Sequence, residues 1–103
     1  MDNRTNEIVV KYIKQIQEIY NPISIYLYGS HAKGNANKYS DIDIAVIISP
    51  INAEEYINIF GELFAIVAKF DADIEPNLLI DDGKNDKYSF LHEVKTTGIK
   101  ICI

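Results

Sequence analysis

Apolar positions recur along the chain with two different periods, and the switches between them mark its elements. From about Thr5 to Tyr20, the residues Val9, Tyr12, Ile13, Ile16, Ile19 and Tyr20 return at three- and four-residue spacing, while Lys11, Lys14, Gln15 and Glu18 take the other face. That spacing predicts an amphipathic helix. It stops at Asn21-Pro22, because the residue before a proline is pushed out of helical geometry. Ile23 to Tyr28 is β-branched and aromatic and ends at Gly29, which predicts a strand. A polar, glycine-bearing stretch from Ser30 to Ser40 follows, with room for one short helical turn. Ile42 to Ile48 is nearly continuous in apolar residues after its aspartates, the pattern of a strand buried on both faces.

The second half repeats the alternation. Pro50 ends the preceding strand, and Asn52 with Glu55 three residues later resembles a capping box. The helix it opens runs to about Phe70 on Tyr56, Phe60, Leu63, Phe64 and Val67. Asp73 to Ile80 predicts a third strand, and Asp81-Asp82-Gly83 a turn. Asp86 is expected to cap a last helix through Thr97, closed by Gly98 in the left-handed conformation common past helix ends. Ile99, Ile101 and Ile103 alternate with Lys100 and Cys102, which predicts a short terminal strand. The order is helix, strand, helix-like loop, strand, helix, strand, helix, strand. This is a modest α/β sandwich, expected as one domain over residues 1–103.

Composition narrows the function classes. Hydrophobic residues make up 48% of the 103 positions and 24% are charged, too apolar for a disordered tail. The formal net charge is −5 and Arg4 is the sole arginine. General nucleic-acid binding needs many Lys and Arg to neutralise phosphates, so that class is excluded. Cys102 has no second cysteine to pair with, and no signal-peptide pattern is present, so a reducing cytoplasm is expected. No apolar run reaches membrane-spanning length.

The chemistry concentrates in GSHAKGNANKYSDIDIAV, Gly29 to Val46. Asp41 and Asp43 stand two apart at the start of a strand, where side chains alternate faces, so both carboxylates point to one side. Two such charges repel unless a cation neutralises them, and hard oxygen donors suit magnesium or manganese. An isolated Asp-x-Asp is more often a pair of solvated charges. Gly29-Ser30, just after the preceding strand, changes that reading. Glycine lets a backbone pass close to a phosphate, and exposed amides at such a turn form an anion nest. GSHAKG fits the start of a P-loop, but Asn35-Ala36 stands where that motif requires Lys-Ser/Thr. Nor does Ser30, directly after Gly29, fit a Gly-x-Ser-x-Gly nucleophile elbow.

Gly29-Ser30, ten residues, then Asp41-Ile42-Asp43 resembles the signature of the DNA polymerase beta-like nucleotidyltransferase superfamily, and GSHAKG with SDIDIAV looks like its minimal branch, the MNT proteins. The resemblance implies an α/β (α+β) fold with a small mixed β-sheet flanked by helices. It implies two Mg2+ ions (or Mn2+) held by Asp41, Asp43 and a third carboxylate, for which Glu75 is the best match and Asp73 the runner-up. Gly29, Ser30 and Lys33 would contact ATP, although relatives carry arginine where Lys33 stands, which removes a bidentate fork. It further implies transfer of AMP from ATP to a hydroxyl, with Glu75 able to accept the proton.

A domain this small has little surface for gripping an acceptor, so a second protein or homo-oligomerisation must help. MNT proteins are commonly paired with HEPN toxins, as antitoxins that attach AMP to a toxin tyrosine, and such a partner is expected here. The alternatives are an antitoxin that blocks its toxin by contact alone, and a nucleotidyltransferase for a small molecule. His31 and His92 read as surface histidines, and Tyr39 as a residue able to stack on a base.

Overall fold

The computed structural model of the chain describes residues 3–37, 40–84 and 86–102. Tyr39 and Ile103, both assigned roles above, lie outside them. The elements follow in the expected order: α1 (Asn3–Ile19), β1 (Ser24–Tyr28), α2 (Ser30–Lys33), β2 (Ile42–Ile48), α3 (Ala53–Val67), β3 (Ile74–Ile80), α4 (Phe90–Thr97) and β4 (Ile99–Lys100).

The four strands form one mixed sheet in the order β3-β2-β1-β4. β2 runs antiparallel to β1 and parallel to β3, and β4 adds antiparallel to the other side of β1. The parallel pair requires a crossover, which α3 supplies. Pro76 sits inside β3 opposite Ile44. It is tolerated because β3 is an edge strand, where a missing N–H can avoid the ladder.

Alternation sorts the sheet into two faces. Ile25, Leu27, Ile42, Ile44, Val46, Ile48, Ile74 and Leu78 share one cluster with Val9, Tyr12, Ile13 and Ile16 of α1 and Leu63 and Ile66 of α3. Of the helical stripe read from the sequence, Val9, Tyr12, Ile13 and Ile16 pack, whereas Ile19 is exposed. The Tyr12 hydroxyl donates to the Leu63 carbonyl at 3.0 Å, and the Tyr56 hydroxyl to the Leu78 carbonyl at 2.7 Å. Each bond is worth on the order of 1 kcal/mol net. Burial, then the neighbouring Tyr20, pushes the Tyr12 phenol above its ordinary range, so it remains a donor.

On the other face, Ala45 and Ile47 are buried, as is Val94 of α4. Phe90 of α4 meets Tyr28 edge-on, with ring centroids 5.5 Å apart. This helix leaves the end of the face that carries Asp43 and Glu75 accessible.

Asn52 caps α3 as expected, but the Glu55 carboxylate takes the Asn52 side-chain amide, not the backbone N–H of a full capping box. Its side chain accepts from the Glu55 N–H at 2.8 Å, and its amide donates to the Glu55 carboxylate at 2.7 Å. The last helix departs from expectation. Ser89, not Asp86, caps it by accepting from the His92 N–H, while the Asp86 side chain accepts from the Tyr88 N–H in a turn before it. Gly98 is extended (φ −82, ψ 174), not left-handed. The need for glycine there is steric, since a Cβ would lie 2.5 Å from the Val94 carbonyl oxygen and 3.0 Å from that of Leu27. The terminal strand is two residues long, although the Ile101 N–H still reaches the Ile25 carbonyl at 2.8 Å. Among the described residues, no helix is long and apolar enough to cross a membrane.

Candidate active site

Sheet register assembles the site. Tyr28 of β1 pairs with Asp43 of β2, and Asp43 pairs with Glu75 of β3. Residues paired in this way share a face, so Tyr28, Asp43 and Glu75 form a row across three strands. One step further along the same face, Tyr26, Ala45 and Asn77 form the next row. The sequence placed Asp41 and Asp43 on one side from local spacing. Glu75 joins them through a parallel pairing between strands more than thirty residues apart.

Gly29 joins this row to the loop. Its backbone (φ 70, ψ −150) is open only to glycine, and a Cβ there would collide with the Asp43 Oδ2. The Asp43 carboxylate is thus seated over the bare Cα of Gly29, at the turn that leads into Ser30 and α2. No side chain caps the first turn of α2. Gly34, in the left-handed region, closes α2 by donating its N–H to the Ser30 carbonyl. Lys33 is exposed at the end of α2 and forms no ion pair among the described residues.

The electrostatics are unbalanced. Burial pushes the Asp43 carboxyl above the ordinary range, the nearby Asp41 charge raises it further, and His31 partly offsets both. Tyr28 is also raised, first by burial and then by the charges of Asp43 and Glu75, against a lowering hydrogen bond from Asn77. Neighbouring carboxylates of this kind are donors suited to a hard cation.

Among the described residues, no three His, Cys, Asp or Glu side chains are gathered closely enough to hold an ion. Donor chemistry and placement on one face nevertheless fit a divalent ion, with Asp41, Asp43 and Glu75 as the residues to hold it.

Asp73, the runner-up, is exposed just before β3, and its carbonyl accepts from the Ile42 N–H at 2.7 Å. It lines a cleft of about 720 Å³ together with His31, Ser40, Ile42, Phe70 and Asp71. Asp41, Asp43 and Glu75 do not line that cleft; they lie beside it on an open shelf of the sheet. His31 departs from the surface reading. It is half-buried, its Nε2 stands 3.4 Å from the Ser40 carbonyl oxygen, and its charge acts on Asp43. His92 is exposed on α4, as expected. Sequence reasoning missed Tyr28 and Asn77, whose signal lay only in the register.

The family described as "Polymerase beta, Nucleotidyltransferase" matches residues 11–103. Among solved structures, one similar to this chain is the crystal structure of a provisionally assigned nucleotidyltransferase from Sulfolobus solfataricus. It has 17% sequence identity and a TM-score of 0.59, with 95% of this chain and 78% of that chain covered. At that identity the likeness speaks for the fold alone. No curated protein matches.

Proposed function

Because this chain belongs to the polymerase beta nucleotidyltransferase family, we propose that it transfers AMP from ATP to a hydroxyl of a partner protein, a tyrosine of a HEPN toxin, and so acts as its antitoxin. Nucleotidyl transfer in general follows from the family; the donor, the acceptor and the antitoxin role are our reading.

The observation that carries it is the carboxylate row, Asp43 with Glu75 and the nearby Asp41, seated against the glycine turn at Gly29. In this reading the Gly29 backbone and the Ser30 hydroxyl bind the triphosphate, with Lys33 adding a point charge. Asp41, Asp43 and Glu75 would hold divalent ions, which when bound would supply charge neutralisation at the pyrophosphate and acidity at the acceptor hydroxyl. Glu75, exposed beside Asp43, takes the proton from that hydroxyl. His31 trims the repulsion at Asp43. The open shelf suits a macromolecular acceptor, since a tyrosine presented by another protein can approach without entering a closed pocket.

The test is to incubate the protein with ATP, magnesium and the HEPN protein. An AMP-sized mass increase on a toxin tyrosine is expected, and absence of both modification and complex overturns the reading. A second reading is an antitoxin that blocks its toxin by contact alone. Full stoichiometric inhibition without nucleotide selects that one.

A further inference from the structure

The face of α3 turned away from the core exposes apolar side chains. Ile57 is 69% exposed and Phe64 42% exposed. Gly61, Ala65 and Ala68 are exposed between and beyond them. Ile57, Gly61, Phe64 and Ala68 recur at three- and four-residue spacing and so form one stripe, while Leu63 and Ile66 take the opposite side into the core. Phe64 is braced rather than loose, with Phe60 at 5.3 Å and Phe60 stacked on Tyr56 at 6.0 Å.

Gly61 is the anomaly. It lies inside a 15-residue helix, where glycine costs roughly 0.5–1 kcal/mol relative to alanine. Its conformation is helical, and a Cβ there would meet no atom within 4 Å. Nothing within the described fold requires a glycine at this position. Close approach of a second helix does.

We propose that α3 pairs with α3 of a second copy of this chain, antiparallel about a two-fold axis through Gly61. The stripe is self-complementary in that sense only. With Gly61 on the axis, Ile57 of one copy falls opposite the small Ala65 of the other, and Phe64 falls opposite Asn58. Glu54, at the acidic first turn, falls opposite Ala68 and beside Lys69 just past the other end. A parallel pairing would set Glu54 against Glu54. Antiparallel alignment also places each helix's positive end by its partner's negative end. A two-fold interface requires this kind of self-matching patch. Because α3 covers the sheet face opposite the carboxylate row, the dimer leaves that row open, and the inference does not depend on the transfer reaction.

Light scattering after gel filtration, at tens of micromolar protein, tests it. The expected mass is twice the chain's 11.7 kDa. Ile57→Lys or Phe64→Lys, each at an exposed site, should give a monomer with an unchanged circular dichroism spectrum. Glu54→Lys and Lys69→Glu should each raise the dimer Kd on the order of tenfold at low salt, since each reversal acts at two symmetric pairs. The double reversal should restore it. A monomeric wild-type protein, a dimer indifferent to Ile57 and Phe64, or a double reversal no tighter than the singles overturns the proposal.

Discussion

Two acidic ends of the same sheet are treated in opposite ways. At the C-terminal end of β3, Asp81 pairs with Lys95 at 2.7 Å and accepts the Gly83 N–H at 2.9 Å, while Asp82 accepts the Lys84 N–H. The Asp81 carboxyl is held below its ordinary range by the Lys95 hydrogen bond first and the Gly83 amide second. At the N-terminal end of β2, Asp43 is half-buried beside Asp41, and its carboxyl is pushed the other way. One end has its charges answered by the chain's own donors. At the other, burial and a like charge push the Asp43 carboxyl up, the kind of perturbation that clusters at functional sites.

The largest effect should come from removing that charge. Asp43→Asn should lower nucleotidyl transfer by at least about a hundredfold. The same change should raise the melting temperature of the protein without divalent ions, because repulsion with Asp41 disappears. The sign follows from the raised carboxyl. Its stabilising contribution is complete below the unfolded-state pKa and fades as pH rises through the higher folded-state pKa. Chelator-treated wild type should therefore lose stability relative to Asp43→Asn as pH climbs from acid toward neutral. A thermal melt series with both proteins reads this, and a lower melting temperature for the variant at neutral pH breaks the contrast.

Next in size is the ion itself. Magnesium at a hundred times its Kd should stabilise the wild type by about 2.7 kcal/mol, and chelation should reverse it. The Asp43→Asn protein should respond weakly or not at all. An equal shift in both would place the ion elsewhere.

Gly29→Ala probes the contact between turn and carboxylate. A side chain at φ 70 that also strikes Asp43 should cost about 1–3 kcal/mol of stability. It should also weaken the magnesium response, as read by chemical denaturation with and without the ion. The mirror substitution at the satisfied end, Lys95→Ala, should have the smallest consequence. Asp81's depressed carboxyl contributes stability above its unfolded-state pKa and loses it as pH falls through the folded-state value. Lys95→Ala should thus flatten the acid-side loss slightly while leaving magnesium binding and transfer unchanged.

Local signals carried much of the reading. The stripe from Val9 to Ile16 and the run from Ile42 to Ile48 name their own elements, because burial patterns follow the period of the backbone itself. The cap at Asn52 is equally local. Local reasoning failed where two signals competed nearby. Asp86 and Ser89 are both good caps, and Ser89 prevails because Asp86 is spent on the preceding turn. Gly98 follows a helix, as left-handed glycines do, yet it is needed for close contact with Val94 and Leu27.

By itself, the amino-acid order determined the elements, the motif Gly29-Ser30 to Asp43 and the family that motif resembles. Each of these lies within a short span of chain. Only the tertiary structure decided that Tyr28, Asp43 and Glu75 share a row and that His31 lies half-buried beside the Ser40 carbonyl. Those facts depend on strand order, direction and register, which arise from packing between distant segments and leave no periodic trace in any one of them.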